Sequence, residues 1–110
     1  MWLAIWLIID FVSVHEEPPY PEVPAVVCEY FADDCVRPLS IAWCESLHNP
    51  YAYHPEGSYG LFQIYEPVWG DVFADYWHNK YDVEQNTRFA RWIFDNTTRK
   101  FDLWTCGRYK

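Results

Sequence analysis

The sequence lacks the residue patterns that usually mark a metal site. None of its four cysteines forms a C-x-x-C pair, so a tetrahedral zinc site of the usual spacing is not expected. The histidines are scattered too, without the i, i+4 spacing that places two ligands on one helix face: they are His15, His48, His54 and His78. We therefore expect neither a metal nor another cofactor.

Positive charge is scarce, and it is absent from the first third of the chain. Sixteen acidic residues against eight basic ones give a formal net charge of −8, and no lysine or arginine precedes Arg37. Proteins bind nucleic acids largely through lysine and arginine contacts to phosphates, so a chain this acidic is a poor binder of polyanions. No nucleic acid is therefore expected as a partner.

No apolar run is long enough to span a bilayer. The N-terminal run, Trp2 to Ile9, ends at Asp10, whereas a spanning helix needs about 20 apolar residues. The positively charged start of a secretory signal is also missing. We interpret residues 1–14 as an apolar N-terminal segment that fits a signal peptide, an uncleaved anchor or a buried segment. A membrane is expected as a partner only through such an anchor.

A proline-rich acidic stretch follows this segment. Residues 15–24 read His-Glu-Glu-Pro-Pro-Tyr-Pro-Glu-Val-Pro, a composition that favours an extended linker. Residues 25–110 then form the predicted folded domain. Although the chain is short, 51% of its residues are hydrophobic and 21% are aromatic, which is enough for one compact core.

The four cysteines indicate disulfide bonds. An even number in a short chain is typical of small domains that fold in an oxidising compartment. We therefore predict two disulfides and an extracytoplasmic location.

Capping signals and prolines predict a small, mainly α domain. The predicted helices cover residues 26–36, 38–47, 67–78 and 82–96. Pro38 and Pro67 are placed at helix starts, and Asp82 with Gln85 forms a capping box. Residues 48–60 are rich in turn-forming and aromatic residues, which indicates a loop or short β-hairpin, and residues 61–65 predict a short strand.

The second predicted helix carries an apolar stripe and one carboxyl group. Leu39, Trp43 and Leu47 recur at i, i+4 and i+8. Glu45 lies near the C-terminal end, where the helix dipole disfavours a negative charge, and only two residues from Trp43. Both effects raise the pKa of a carboxyl, which suits a general acid that donates a proton to a leaving oxygen. A lone glutamate on a helix is otherwise usually a solvated surface charge.

Several motifs around Glu45 together resemble a known group of enzymes. They are Ile-Ala-Trp-Cys-Glu-Ser at 41–46, Asn49-Pro50, the segment 57–63 ending in Gly-Leu-Phe-Gln, Trp69, and Trp-Thr-Cys at 104–106. This pattern resembles the catalytic core of the transglycosylase SLT, goose-type lysozyme and resuscitation-promoting-factor group, which cleaves peptidoglycan glycan strands. It looks most like the small resuscitation-promoting-factor-like, phage or bacterial lytic transglycosylase domains. Leu47 stands where these families usually carry glycine.

The resemblance implies an α+β lysozyme-like fold and a specific set of site residues. It implies a monomer that acts on peptidoglycan outside the cytoplasm, whether secreted or associated with a cell envelope or virion. Glu45 would be the single general acid/base for the MurNAc–GlcNAc β-1,4 bond. The expected substrate-binding residues are Ser46, Tyr59, Gly60, Gln63, Tyr65 and Trp69. The implied disulfides are Cys44–Cys106, with Cys28 and Cys35 pairing locally.

The sequence leaves the outcome of the cleavage open. A glycosidase with two protein carboxylates needs a second one at a set distance. The candidates are Glu56, Glu66, Asp71, Asp33 and Asp34, and none lies in a motif that matches. Attack by the C6 hydroxyl of the sugar would give a 1,6-anhydro product, whereas attack by water would give hydrolysis.

Two other functions fit parts of the pattern. The first is a non-catalytic glycan-binding or morphogenetic module on the same scaffold, although a binder has no need of a buried acid. The second is a cysteine-stabilised secreted domain whose aromatic surface binds protein. The second should not be retained by insoluble peptidoglycan.

Overall fold

The computed structural model describes residues 20–108, so the predicted segment 1–14 lies outside the described residues. The described part contains four α-helices: α1 Glu22–Tyr30, α2 Val36–Ser46, α3 Glu66–Tyr76 and α4 Val83–Asn96. Three two-residue strands lie between α2 and α3: β1 Tyr53–His54, β2 Ser58–Tyr59 and β3 Ile64–Tyr65. Two 3₁₀ helices follow α4, at Lys100–Leu103 and Thr105–Arg108. Among residues 20–108, no helix is both long and apolar enough to cross a membrane.

The first helix begins and ends earlier than predicted. It starts at Glu22, inside the stretch that the sequence analysis interpreted as a linker, and it ends at Tyr30 rather than at Val36. Pro24 lies in its first turn, where the missing N–H removes no helical hydrogen bond. Proline therefore marks a helix start here rather than an extended segment, while the division of the chain into 1–14, 15–24 and 25–110 stays a prediction.

The second helix ends as predicted, but only the first residue of its apolar stripe packs against the core. Leu39 contacts the core, whereas Trp43 and Leu47 are 54% and 65% exposed. The buried residues of α2 are Pro38, Ile41, Ala42 and Ser46. This face is buried because α2 packs against α1 and against the second 3₁₀ helix.

Leu47 caps α2 in a conformation that glycine usually supplies. Its φ is 55°, in the left-handed region, and its N–H donates to the carbonyl of Trp43 at 2.8 Å. A non-glycine residue in this region is uncommon and carries a steric cost. The turn behind Glu45 therefore keeps a left-handed cap although glycine has been replaced.

The predicted hairpin insert is confirmed, with a third strand at its edge. The strands form an antiparallel sheet in the order β1-β2-β3, in which Tyr59 pairs with both Tyr53 and Ile64. Only the last two residues of the predicted strand 61–65 are in β3, because the Gln63 N–H donates to the carbonyl of Gly60 at 3.1 Å and closes a turn. The mainly α fold with a small β insert and two disulfides is thus confirmed.

Half of the buried apolar residues of the core are aromatic. Phe89 of α4 is fully buried at its centre, where its ring lies 4.9 Å from Trp77 and 5.2 Å from Phe73 between ring centroids. A second group joins Phe31 after α1 to Phe62 and Phe101, with centroid distances of 6.1 and 5.8 Å. Tilted and edge-on pairs of this kind add to the stabilisation from apolar burial.

Only one of the two hydrogen bonds of the predicted capping box forms at the start of α4. The Asp82 carboxylate accepts from the Gln85 N–H at 2.9 Å, as expected for an N-cap. The Gln85 side chain does not return this bond to the Asp82 N–H. Its Oε1 instead accepts from the N–H groups of His78 and Asn79, at 2.8 and 2.9 Å. Gln85 therefore ties the α3–α4 loop to α4.

Asn86, one residue further along α4, holds the turn between β2 and β3. It is fully buried, and its Oδ1 accepts from the Phe62 N–H at 2.8 Å. Its Nδ2 donates to the carbonyls of Tyr59 and Lys80, at 3.3 and 3.0 Å. Gly60 permits this approach, because its φ is +79° and a Cβ there would lie 2.2 Å from Asn86 Nδ2.

Two disulfides close loops of very different length. Cys44–Cys106 links the end of α2 to the second 3₁₀ helix across 62 residues, and Cys28–Cys35 links α1 to the start of α2 across 7 residues. The pairing is the one that the resemblance implied. A disulfide that closes a longer loop removes more conformational entropy from the unfolded state.

We expect the two disulfides to contribute unequally to stability. Replacing Cys44 and Cys106 by alanine should lower the free energy of unfolding by about 4 kcal/mol, and replacing Cys28 and Cys35 by about 2 kcal/mol, on the chain-entropy relation. Urea denaturation of the two double variants measures both values under identical conditions. Equal losses would contradict the entropic explanation.

We also expect Asn86→Leu to destabilise the domain strongly. The substitution leaves a buried N–H and two carbonyls without their partner, which should cost about 3 kcal/mol in urea denaturation. Thr87→Val is the matched control, because Thr87 is also fully buried and its hydroxyl has no hydrogen-bond partner within residues 20–108. A loss in Thr87→Val as large as in Asn86→Leu would show that packing, not hydrogen bonding, is responsible.

Candidate active site

Glu45 lies at the penultimate position of α2, beside the long-range disulfide. Its side chain is partly buried, and Oε2 accepts from the backbone N–H of Cys106 at 3.3 Å. Cys106 is bonded to Cys44, the neighbour of Glu45. The disulfide therefore brings a backbone hydrogen-bond donor to the carboxylate from the opposite end of the domain.

The pKa of Glu45 is raised, as the sequence predicted, but for a different reason. Burial is the largest cause, and the charge of nearby Glu56 adds to the rise. The hydrogen bond from the Cys106 N–H and the positive charge of His54 act in the opposite direction. Trp43, which the sequence analysis held responsible, is largely exposed, and its ring packs edge-on against His48 at 5.3 Å.

Glu45 opens into a cleft between the α2 end, the small sheet and the 3₁₀ helices. The cleft has a volume of about 420 Å³, and its lining residues are Glu45, Glu56, Ser58, Gln63, Tyr65, Leu103, Trp104 and Thr105. A smaller hollow of about 50 Å³ shares four of these residues and extends to Trp69 and Ile93. The two spaces are thus adjacent, and together they form a groove, which we call the Glu45 groove.

Gln63 is fixed in the wall shared by both parts of the groove. It is only 7% exposed, and its Nε2 donates to the carbonyls of Ala52 and Gly60, at 3.2 and 3.0 Å. These two acceptors determine which end of the amide carries the nitrogen. Its Oε1 is buried and has no partner among residues 20–108. A buried acceptor without a partner is rare in folded proteins, and this one is also closed off from solvent.

Tyr65 and Trp69 also lie where the sequence analysis placed them, along the groove. Tyr65 is 43% exposed and lines both parts. Trp69 is half-buried and lines the smaller part, and its ring packs edge-on against Phe89 and Trp92 at 6.3 and 6.2 Å. Tyr65 thus offers an accessible ring, whereas Trp69 serves the core as well.

Ser46, expected to bind substrate, does not line the groove. Its buried hydroxyl lies 2.7 Å from the carbonyl of Leu61 and 2.9 Å from that of Ala42. These contacts tie the end of α2 to the turn that carries Gln63. Ser46 therefore holds the two sides of the groove together rather than contacting the acid.

Tyr59 and Gly60 are not brought into the groove, which corrects their predicted place. Tyr59 is 1% exposed, and its ring packs edge-on against Phe73 at 6.0 Å, while burial raises its pKa to about 12. Tyr59 lines a separate cavity of about 430 Å³ next to α3. Gly60 faces Asn86, as described above, so its freedom serves packing and not ligand approach.

The structure adds residues to the site that the sequence reasoning missed. Leu103 lines the groove but stands in none of the quoted motifs, whereas Ser58 and Thr105 lie in the motifs at 57–63 and 104–106 without having been given a role. Trp104 belongs to the same closing Trp-Thr-Cys motif, and its indole N–H donates to the carbonyl of Phe62 at 2.8 Å. The signal that could have found residues 103–105 is their position next to Cys106, whose partner precedes Glu45.

The described residues offer no evident metal site. Within residues 20–108, no group of three or more His, Cys, Asp or Glu side chains is placed to hold a metal ion. Glu45 is the residue of the groove whose raised pKa suits it to proton transfer.

Comparison with known proteins identifies a family. The model of the transglycosylase SLT domain matches residues 37–107, which is more than half of the chain and includes every residue of the Glu45 groove. No curated protein and no solved structure gave a significant match. The extent of the family match, on a domain whose fold is mainly α with a small β insert, places this chain in the transglycosylase SLT domain family, within the lysozyme-like superfamily.

Proposed function

We propose that this chain cleaves the MurNAc–GlcNAc β-1,4 bond of peptidoglycan, with Glu45 as the only essential general acid/base. The observation that carries the proposal is a partly buried carboxyl with a raised pKa, set in a groove within the matched SLT domain. The family supports peptidoglycan lytic transglycosylase activity in general terms. The two disulfides fit an oxidising location, and we propose that the domain acts outside the cytoplasm as a monomer.

The proposed reaction uses one carboxyl in two successive roles. Glu45 first protonates the bridging oxygen, so that the bond from this oxygen to C1 of MurNAc breaks and the oxygen leaves as a hydroxyl. The Glu45 carboxylate then accepts the proton of the C6 hydroxyl, whose oxygen bonds to C1. The products are a 1,6-anhydro sugar and a shortened glycan, and no water is consumed.

Substrate binding in this proposal rests mainly on Gln63 and Tyr65. Gln63 lines the groove, and its unpaired Oε1 is closed off from solvent, so it accepts a hydrogen bond from a sugar hydroxyl or acetamido N–H only once substrate has displaced the wall around it. The exposed ring of Tyr65 offers an apolar face to a pyranose. Ser46, Tyr59 and Gly60 act from behind the groove by holding the turn that carries Gln63.

The direct test is product analysis with a variant that cannot donate the proton. Glu45→Gln should release no soluble muropeptides from purified peptidoglycan, whereas the wild type should release anhydro-muropeptides that mass spectrometry identifies. The glutamine oxygen can still accept from the Cys106 N–H, so the fold should be kept. We expect a loss on the order of 10²-fold or more in rate, typical for removal of a general acid.

Asp75→Asn serves as the matched control, because Asp75 is an exposed carboxylate of α3 that does not line the groove. Unchanged cleavage by Glu45→Gln would remove Glu45 from the mechanism. Retention of both proteins on the pellet without release of products would instead support a glycan-binding module. Absence of retention as well would support a protein-binding domain.

The raised pKa of Glu45 has a consequence that can be measured without substrate. Between the ordinary value of 4.5 and the raised folded value, the folded state holds a proton that the unfolded state has lost. The free energy of unfolding therefore falls as pH rises through this window. Glutamine does not ionise, so Glu45→Gln should gain stability relative to the wild type as pH rises from about 4 to 7.

Urea denaturation of both proteins at several pH values measures this difference. Other titrating groups are common to both proteins and cancel in the comparison. The two should differ least at acid pH, where Glu45 is protonated in both states. A difference that stays constant across the range would show that the pKa of Glu45 is not raised.

A further inference from the structure

The Glu45 groove contains a second carboxylate that the proposed single-acid mechanism does not use. Glu56 lies in the turn between β1 and β2, and it lines the same 420 Å³ cleft as Glu45. Its charge is close enough to affect the titration of Glu45. A glycosidase that releases its product by hydrolysis uses two carboxyl groups in one cleft, one to protonate the leaving oxygen and one to direct water.

The structure separates Glu56 from the other candidates for a second carboxylate. Glu66 lines the separate cavity and is paired with Lys80 at 3.0 Å. Asp33 is paired with Arg91 at 3.2 Å, and neither Asp34 nor Asp71 lines the cleft. Among the five, Glu56 alone shares a cavity with Glu45.

Glu56 is also free of the contacts that would explain it as a structural residue. Its side chain is exposed to the cleft, and no hydrogen bond or ion pair holds it within residues 20–108. By contrast, its neighbour Gly57 accepts the Glu66 N–H at 2.7 Å through its carbonyl, which fixes the backbone of the turn. An exposed carboxylate on a fixed turn is available to hydrogen-bond a water molecule in the cleft.

We propose that Glu56 is a second catalytic carboxylate, which activates water and gives this domain a hydrolytic route beside transglycosylation. This inference rests on the proposed function of Glu45. After Glu45 has protonated the leaving oxygen and the bond to C1 has broken, the Glu56 carboxylate accepts a proton from water. The water oxygen bonds to C1, which gives a reducing MurNAc end. Glu56 then returns its proton, and Glu45 regains one, through solvent.

The test compares the two product classes from one enzyme. Full-length wild type, Glu56→Gln and the control Asp75→Asn are incubated with purified peptidoglycan in ¹⁸O-labelled water, and mass spectrometry counts labelled reducing ends and unlabelled anhydro ends. We expect Glu56→Gln to lose labelled reducing ends on the order of 10²-fold, the usual contribution of a general base, and to keep its anhydro products. Sodium formate should restore reducing ends to Glu56→Ala, because it supplies a carboxylate in the vacated space.

A pH profile gives a second readout, which tests whether Glu56 lies close enough to Glu45 to act in the same site. The groups that face Glu45 are His54 on β1, Glu56 on the β1–β2 turn and the Cys106 N–H on the second 3₁₀ helix. Without the charge of Glu56, the pKa of Glu45 should fall. Anhydro formation by Glu56→Gln should therefore decline at lower pH than in the wild type.

The outcomes separate this inference from the function on which it rests. An unchanged ratio of reducing to anhydro ends in Glu56→Gln, while Glu45→Gln is inactive, would overturn the role of Glu56 and leave the transglycosylase intact. Exclusively anhydro products from the wild type would do the same. If the wild type releases nothing, the proposed function fails and the second route fails with it.

Discussion

The covalent link between Cys44 and Cys106 is the constraint on which the site depends. Every residue that lines the Glu45 groove lies between these two cysteines in the sequence, so the disulfide closes the chain around the whole site. It also sets the second 3₁₀ helix against the end of α2, where the Cys106 N–H reaches Glu45. A domain of this size has a limited core, and cross-linking its most distant segments compensates for that limit.

Within this closed loop, buried polar contacts position the turn that faces the acid. Asn86 binds the turn from α4, and Ser46 binds it from α2, in both cases through backbone groups. Gln63 then holds the turn to the β1 side through the carbonyl of Ala52. Three polar side chains from three elements thus converge on a few residues, which an apolar core alone could not hold in one conformation.

Much of the fold could be predicted, because prolines, helix caps and turn-forming residues act on the few residues next to them in the sequence. Pro67 and Asp82 lie at helix starts as expected, and the turn-rich segment after α2 forms the hairpin. The first helix was misplaced because proline at a helix start and proline in a linker look alike in sequence. Of the stripe through Trp43, only Leu39 packs against the core, since periodicity gives a face but not the partner that covers it.

Part of the site was less predictable, because side-chain roles depend on what surrounds them. Tyr59 and Tyr65 are both aromatic residues of short strands in the insert, yet one is buried and the other lines the groove. Ser46 stands next to Glu45 in sequence but points into the junction with Leu61. Glu56 could not be distinguished from four other acidic residues until the fold placed it in the cleft.

The environment of Glu45 combines opposing influences, and the opposition suits the chemistry proposed for it. Burial and the charge of Glu56 favour the protonated carboxyl, which is the form that donates to the leaving oxygen. The Cys106 N–H and His54 favour the carboxylate, which is the form that must then accept a proton. With burial alone, the Glu45 carboxyl would hold its proton too firmly to donate it and so to become the carboxylate that the second step needs. A balance between the two forms lets one residue serve both steps, and the disulfide that delivers the Cys106 N–H is part of that balance.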